Sequence, residues 1–229
     1  SCDRLKYCEF KGNIEELPAG TFYDCPMLSE VVLPDTLKNI GGRAFSGCSS
    51  LKEIDIPDSM TELPFAIFRE CSSLTSIDIP EGVTYIGNSV FKDCSSLKEI
   101  IIPDGVTYIG EYAFAGCSSL QKLNIPQNVE ILNDGLAADC TSLTEITLPK
   151  TAKSYESKNS TRIFGRDMFR NCEKLTSITI PYGIRDIGEK CFDGCTSLKE
   201  LKLPDTISII ENYAFRNCSS LEELDIPGP

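Results

Sequence analysis

The chain has 229 residues, of which 41% are hydrophobic, so it is long enough to bury a sizeable core. Its net charge is −12, from 34 acidic and 22 basic residues, which argues against nucleic acid and anionic membranes as partners. The sequence has no histidine, the commonest general base at neutral pH, and no apolar run approaches the roughly 18 residues that a membrane helix needs.

An internal repeat organises the chain. Cysteines recur every 23 residues, with one longer step of 32 between Cys140 and Cys172, and prolines and phenylalanines keep the same period. We predict a single domain over residues 1–229, made of about ten units, with a nine-residue insertion within 150–160 that is the excess of 32 over 23. The units start near residues 2, 25, 48, 71, 94, 117, 140, 172, 195 and 218.

Each unit contains the same predicted elements in the same order. The segment "LKEIDIP" (51–57) alternates apolar and polar residues, which predicts a strand that ends at proline, because proline cannot donate a ladder hydrogen bond. Asp-Gly or Glu-Gly then predicts a turn, and "VTYI" predicts a second short extended segment. The segment "IGEYAFAGC" (109–117) is long enough for one helical turn. A 23-residue unit cannot bury its apolar face alone, so we expect the units to stack.

The cysteines allow two interpretations. Cysteines in successive units would lie about 4.8 Å apart, within reach of a disulfide, but their Cβ vectors would run parallel. We therefore expect a ladder of buried, reduced thiols that act as small apolar fillers. The sequence has no C-x-x-C pair, and turn chemistry accounts for the acidic residues after the prolines, so we expect neither a metal nor a cofactor.

The phrase L-x-x-I-x-I-P-x-x-V-T-x-I-G-x-x-A-F-x-x-C resembles the BspA-like leucine-rich repeats of bacterial surface proteins, over essentially the whole chain. The resemblance implies an α/β fold. This would be a right-handed leucine-rich-repeat solenoid, with a concave parallel β-sheet and short extended or helical turns on the convex side. It also implies cell-surface or secreted proteins that attach to host proteins or to other cells.

The concave face is the first candidate binding surface, because a curved sheet with variable outward residues is the usual binding surface of such solenoids. The alternative is that its charged residues only keep the protein soluble. The candidate residues on this face are Glu53, Asp55, Asp78, Glu99, Ile101, Lys122, Asn124, Glu145, Thr147, Ser177 and Thr179.

The insertion "KTAKSYESKNST" (150–161) is the second candidate, because it begins a basic segment in an acidic chain. A polar loop on a rigid scaffold is often where specificity lies. The alternative is a surface loop that has drifted without function. The candidate binding residues in and beside it are Lys150, Lys153, Tyr155, Lys158 and Arg162.

The sequence favours a non-catalytic protein-binding or adhesion module, because its recurring polar residues lie along ladders and do not converge on one point. The expected partner is a host matrix protein or another cell-surface protein, with a glycan as the weaker candidate. Two alternatives stay open: a structural stalk that presents other domains, and an intracellular, cytoplasmic interaction scaffold, which free thiols favour. Neither end carries a polar capping unit, so end-to-end pairing of copies is also an expectation.

Overall fold

We describe the fold from a computed structural model of the chain. It describes residues 2–152 and 164–226, together with the backbones of residues 156–157 and 160–161. Short strands recur along the chain and account for its regular secondary structure. They are β1 (Tyr7–Glu9), β2 (Glu16–Leu17), β3 (Glu30–Val32), β4 (Asn39–Ile40), β5 (Glu62–Leu63), β6 (Tyr85–Ile86), β7 (Tyr108–Ile109), β8 (Lys122–Asn124), β9 (Glu145–Thr147), β10 (Glu156–Ser157), β11 (Ser160–Thr161), β12 (Ser177–Thr179), β13 (Asp186–Ile187), β14 (Glu200–Lys202) and β15 (Ile209–Ile210).

Strands of successive units pair in parallel, one repeat apart. The first strand of each coil belongs to one row, in which β1 pairs with β3, β8 with β9 and β12 with β14. In this row Lys122 lies opposite Glu145. In the second row β2 pairs with β4, β6 lies between β5 and β7, and β13 pairs with β15. The chain is therefore a parallel β-solenoid of stacked coils. Its division into ten units of one domain stays a prediction.

The segment predicted to form a helical turn is a series of turns. Two residues in each repeat adopt a positive φ there, for example Tyr112 at 55° and Gly116 at 75°, and a right-handed helix cannot continue through them. Main-chain N–H groups donate to the next coil instead: Tyr112 to Asp134 O at 2.8 Å, and Phe114 to Leu136 O at 3.0 Å. The described residues contain no helix, and so none that could cross a membrane. The α/β class and the helical turn are not confirmed.

Phenylalanine rings form a column inside the coils. Adjacent centroids lie 5.5–5.9 Å apart with interplanar angles of 11–18°, and rings at this spacing stabilise each other beyond the area they bury. Ala137 stands where the next ring would be, and a second group of rings follows the insertion. The column contains Phe22, Phe45, Phe68, Phe91 and Phe114, and the second group contains Phe164, Phe169, Phe192 and Phe215.

The cysteine ladder runs beside the rings. All twelve cysteines are free, and those from Cys25 to Cys195 are buried, which confirms the expected ladder of buried cysteines. That these thiols are reduced stays a prediction. They are more than apolar fillers, because each in-phase thiol from Cys48 onward donates a hydrogen bond to a main-chain carbonyl of the preceding coil. Cys94 Sγ, for example, lies 3.1 Å from Phe68 O. A cysteine fits here because it is small, apolar and still a weak donor.

Candidate binding groove

The first strand of each coil turns alternate side chains outward. In β8, Leu123 is buried while Lys122 and Asn124 on either side of it are exposed. All eleven residues predicted on the concave face are exposed, and we call this set the sheet face. Asp78 lies opposite Ile101, whose side chain is 81% exposed and offers an isolated apolar contact.

A groove opens on the sheet face between β9 and β12. Its volume is about 610 Å³, and it is lined by residues 144–150, 177–182, 200 and 202–204. The groove lining includes residues of both predicted sites. They are Glu145, Thr147, Ser177 and Thr179 from the sheet face, and Lys150 from the insertion. The sheet-face residues from Glu53 to Asn124 do not line it.

β9 and β12, which both line the groove, do not pair with each other. On one side of it, Thr144 N–H donates to Gln121 O at 2.9 Å, and on the other Lys199 N–H donates to Thr176 O at 2.9 Å. Within the described residues, the equivalent bond from Thr176 to Thr144 is not formed. The nine extra residues lie between these two strands in the chain, so the longer connection coincides with the break in the ladder.

The turns behind the groove stay joined. Phe169 N–H donates to Cys191 O at 2.8 Å, as in the other coils. Arg166 Nη2 lies 2.5 Å from Glu189 Oε2, and the neighbouring Lys190, followed by Arg166, holds the pKa of Glu189 below its usual value. The two coils are therefore joined on the turn side. On the strand side β9 and β12 do not pair, although the coils are joined again just beyond them, at Thr151 and Tyr182.

Lys150 and Tyr182 lie at one end of the groove lining. Tyr182 N–H donates to Lys150 O at 3.2 Å, after which the chain forms the antiparallel pair β10–β11. Tyr182 is 61% exposed, and the sequence prediction missed it, although it replaces the acidic residue that follows proline in most units. Lys153, Tyr155, Lys158 and Arg162 lie outside the described residues.

The groove combines charges of both signs with an apolar floor. Lys122 Nζ lies 2.8 Å from Glu145 Oε2 on the β9 side. Ile146 is only half-buried, whereas its equivalents in the adjacent coils, Leu123 and Ile178, are buried. Among the side chains that the structure describes, no three His, Cys, Asp or Glu groups are placed to hold a metal ion. The arrangement suits non-covalent contact with a partner.

The repeat family follows from comparison with known sequences. The family model described as BspA type leucine rich repeat region (6 copies) matches residues 1–118, 61–160 and 151–229. The chain belongs to this family. Comparison with curated proteins finds no match.

Solved structures of leucine-rich repeat proteins share the solenoid. The leucine-rich repeat protein TpLRR of T. pallidum is 32% identical, with a TM-score of 0.66 over 75% of this chain and 78% of that one. A leucine-rich repeat protein from Bacteroides ovatus is 27% identical, with a TM-score of 0.51 over 97% of this chain and 75% of that one. One from Eubacterium ventriosum, at 23% identity, shows the fold alone, with a TM-score of 0.62 over 97% and 70%.

Proposed function

We propose that this chain is a non-catalytic protein-binding module of a bacterial cell-surface or secreted protein, and that it holds its partner in the groove between β9 and β12. The observation that carries the proposal is the groove itself, about 610 Å³ in volume, at the point where the exposed sheet face meets the insertion. Membership of the BspA-type family supports the surface or secreted location, because the repeat resembles those of bacterial surface proteins.

The partner that suits the groove is a protein. The groove is an open channel across adjacent strands, with a half-buried isoleucine in its floor and charges on its rim. Protein interfaces combine an apolar centre with a polar rim in the same way. A host matrix protein or a surface protein of another cell would present such a surface, and a glycan is the alternative ligand.

The insertion would contribute the second part of the site. Lys150 lies in the groove lining, and Lys153, Lys158 and Arg162 add positive charge close to it in sequence. Because the chain as a whole carries −12, a locally basic segment would favour a partner with an acidic surface there. Tyr155 would supply an aromatic anchor, the residue type that most often dominates binding energy.

A binding screen tests the proposal. The intact chain is measured against host matrix proteins, bacterial surface proteins and a glycan array. Ser177→Arg places a long cation on the groove wall, and Ser76→Arg makes the same change at the equivalent strand position four coils earlier, where Ser76 is also exposed. We expect Ser177→Arg to weaken binding at least tenfold, by steric block, and Ser76→Arg to leave it within about twofold.

A third variant separates the insertion from the groove wall. Deletion of residues 150–158 should weaken binding to the same partner if the insertion takes part. Loss of binding in Ser76→Arg alone would move the site to the regular coils, and a hit confined to glycans would reject the protein partner.

The second candidate function is a stiff stalk that presents other domains. The observation that favours it is the continuous set of ladders along the stack, in which ring contacts and thiol bonds repeat from coil to coil. If the intact chain binds nothing in the screen, the stalk becomes the better interpretation and the groove proposal is rejected.

A further inference from the structure

A depression lies on the turn side of the N-terminal coils, away from the groove. Its volume is about 390 Å³, which is within the range of small-ligand sites. It is lined by Ala19, Gly20, Tyr23, Gly42 and Arg43, and we call it the notch. The proposed function uses none of these residues, so a ligand of the notch would be recognised separately from a partner in the groove.

The notch is open because small residues line its floor. The third coil has a ring at Phe65, whereas the equivalent residues one and two repeats earlier are Gly42 and Ala19. Gly20 likewise stands where the next coil has Arg43. A Cβ atom added to Gly20 would contact Tyr23 Cβ at 3.5 Å and would otherwise meet open space. The cation of Arg43 therefore borders a space that the preceding coil does not fill.

Arg43 is held against an exposed aromatic ring. Its Cζ atom lies 4.9 Å from the centroid of the Phe65 ring, a distance at which the ring face attracts a cation. Both side chains are exposed, and Arg43 has no ion pair among the described side chains. The arginines further along the turn side each have one: Arg69 with Glu70, Arg166 with Glu189, Arg170 with Asp139 and Arg216 with Asp193.

Arg216 shows which group completes such an arrangement. Its Cζ atom lies 5.1 Å from the centroid of the Tyr213 ring, so it stacks as Arg43 does. Its Nε atom donates to both carboxylate oxygens of Asp193, at 2.9 and 3.0 Å. The donors of an arginine match a carboxylate in this way, and charge-assisted hydrogen bonds of this kind are strong. Arg43 has the ring, but the described side chains supply it with no carboxylate.

We propose that the notch binds a carboxylate of a partner peptide, an Asp or Glu side chain or a C-terminus, through the guanidinium of Arg43. In a chain of net charge −12, an unpaired cation at this place gives local complementarity to an acidic group. An apolar side chain next to the bound carboxylate packs on the ring of Tyr23, which is 51% exposed. Arginine and tyrosine are among the residue types that carry most of the binding energy at protein interfaces.

The floor of the notch favours a peptide over an acidic sugar, because its main-chain groups are already in use. Gly20 N–H donates to Gly42 O at 3.0 Å, and Gly20 O accepts from Tyr23 N–H at 2.9 Å. Arg43 N–H donates to Phe65 O at 2.9 Å. A sugar acid carries several hydroxyls that lose water on binding and need new partners. The guanidinium and the Tyr23 hydroxyl are enough for one carboxylate but not for these hydroxyls as well.

A peptide titration tests the ligand. The probe is the peptide acetyl-Gly-Leu-Asp-Leu-Gly-amide, and its matched control has Asn in place of Asp, which keeps the size and removes the charge. The intact chain is titrated with each peptide while NMR follows the amides of Gly20, Tyr23 and Gly42. We expect the Asp peptide to shift these amides, and the Asn peptide to bind at least about tenfold more weakly, because it loses the charge-assisted hydrogen bonds. Glucuronate, the sugar probe, should bind at least about tenfold more weakly as well.

Two matched variants test the protein side. Arg43→Gln removes the guanidinium from the notch, and Lys92→Gln removes a cation that lies 5.4 Å from the centroid of the Tyr112 ring in the regular coils. Neither side chain is buried, so both variants should fold, which circular dichroism checks. Arg43→Gln should weaken binding of the Asp peptide at least about tenfold, and Lys92→Gln should leave it within about twofold.

The outcomes separate this inference from the proposed function. Ser177→Arg, on the groove wall, should leave binding of the Asp peptide unchanged; if it weakens binding as much as Arg43→Gln does, the peptide binds in the groove and the inference is wrong. Equal binding of the Asp and Asn peptides would show that no carboxylate is recognised, and amides that do not shift up to about 10 mM peptide would reject the notch as a site. Glucuronate that binds more tightly than the Asp peptide would reject the peptide ligand.

Discussion

The regular coils of residues 48–116 and the coils around the insertion differ on one side of the solenoid and agree on the other. On the turn side, Phe91 N–H donates to Ala113 O at 2.8 Å, and Ala137 N–H donates to Met168 O at 2.9 Å although the connection is nine residues longer. On the strand side, Thr75 N–H donates to Lys52 O at 3.2 Å in the regular coils, whereas the equivalent bond from Thr176 to Thr144 is not formed within the described residues. The turn side therefore keeps the coils in register, and the strand side is free to vary.

The cysteine ladder, which lies on the turn side, also keeps its contacts across the longer connection. Cys117 Sγ lies 3.2 Å from Phe91 O, 26 positions earlier, and Cys172 Sγ lies 3.2 Å from Ala137 O, 35 positions earlier. The thiol donates to a carbonyl of the preceding coil in both cases, although the intervening chain is nine residues longer in the second. Buried groups on the turn side have no alternative partner, whereas water can satisfy main-chain groups on an exposed strand face. This explains why the insertion is tolerated where it stands.

Raising the pH tests the turn side, which both regions have in common, and should have the largest effect on the free energy of unfolding. Burial raises the pKa of Cys48 and of Cys140 to about 12, from about 8.5 in an unfolded chain. Above about pH 8.5 the unfolded chain loses thiol protons that the folded chain keeps, so stability that is present below that pH is lost as the pH rises towards 12. Each such thiol costs about 1.4 kcal/mol per pH unit in this window, and the ladder contains several.

Urea unfolding at a series of pH values measures this loss, and we expect the free energy of unfolding to fall steeply from about pH 9. The double variant Cys48→Ala with Cys140→Ala should show a shallower slope, because two of the coupled groups are gone. A free energy that stays constant up to pH 11 would contradict a buried ladder of protonated thiols.

Ring deletions compare the two regions directly. Phe91 stacks between Phe68 at 5.9 Å and Phe114 at 5.7 Å. Phe169 stacks on Phe192 at 5.6 Å, has Ala137 in place of a ring on the other side, and has Phe164 tilted against it at 6.0 Å. Phe91→Ala should lower the free energy of unfolding by about 3–5 kcal/mol. Phe169→Ala should cost about as much, because it also breaks two ring contacts. Urea unfolding checks both, and a larger loss at Phe169 would show that the insertion region is the better packed.

The repeat, the alternating strands, the parallel stacking and the buried thiols were predictable because each follows from the identities of residues at a fixed period. The turn conformation left a signal that the prediction did not use. The residue before the in-phase cysteine is most often Gly, Asn or Asp, the types that tolerate a positive φ, and from Asp24 to Asn217 each of these residues has one. Two such residues in each repeat fit a series of turns and do not support the helical turn.

The groove could not be predicted in the same way. The strand residues of β9 and β12 follow the same alternation as those of other coils, so no side chain marks the missing bonds. The break depends on the relative placement of two backbones across a longer connection, which a repeat pattern does not encode. Tyr182 could have been noticed as an aromatic residue at an acidic position, but its place in the groove lining required the structure.

A pair of aspartates at equivalent turn positions gives a smaller test. Asp139 Oδ2 lies 2.6 Å from Arg170 Nη2 across the longer connection. Asp93, in the regular coils, has a pKa raised mainly by burial. Asp139→Asn should lower the free energy of unfolding by about 0.5–1 kcal/mol, an effect that added salt reduces, because this partly exposed pair is screened by solvent.

The matched change Asp93→Asn removes a carboxylate whose charge burial disfavours, so it should leave stability unchanged or raise it slightly. Asn tolerates the positive φ of both positions, so neither variant should add backbone strain and the comparison reports the loss of the carboxylate charge. Equal losses in the two variants would show that the ion pair across the insertion contributes nothing specific.

The smallest expected effect concerns the exchange rates of single amide groups. It tests whether the groove is open in solution. Thr179 lies in β12, which pairs with β14 but not with β9, and its neighbour Ile180 donates to Lys202 O at 2.9 Å. Amide hydrogen exchange followed by NMR should be at least about tenfold faster for Thr179 than for Ile180. Alternate residues of a parallel strand direct their amides to opposite neighbours, and β12 has no paired strand on its β9 side. The same contrast should hold between Ile146 and Ile125, which donates to Thr147 O. Similar protection of Thr179 and Ile180 would mean that β9 and β12 pair in solution, and the difference between the two regions would then lie in connection length alone, with no groove for a partner to enter.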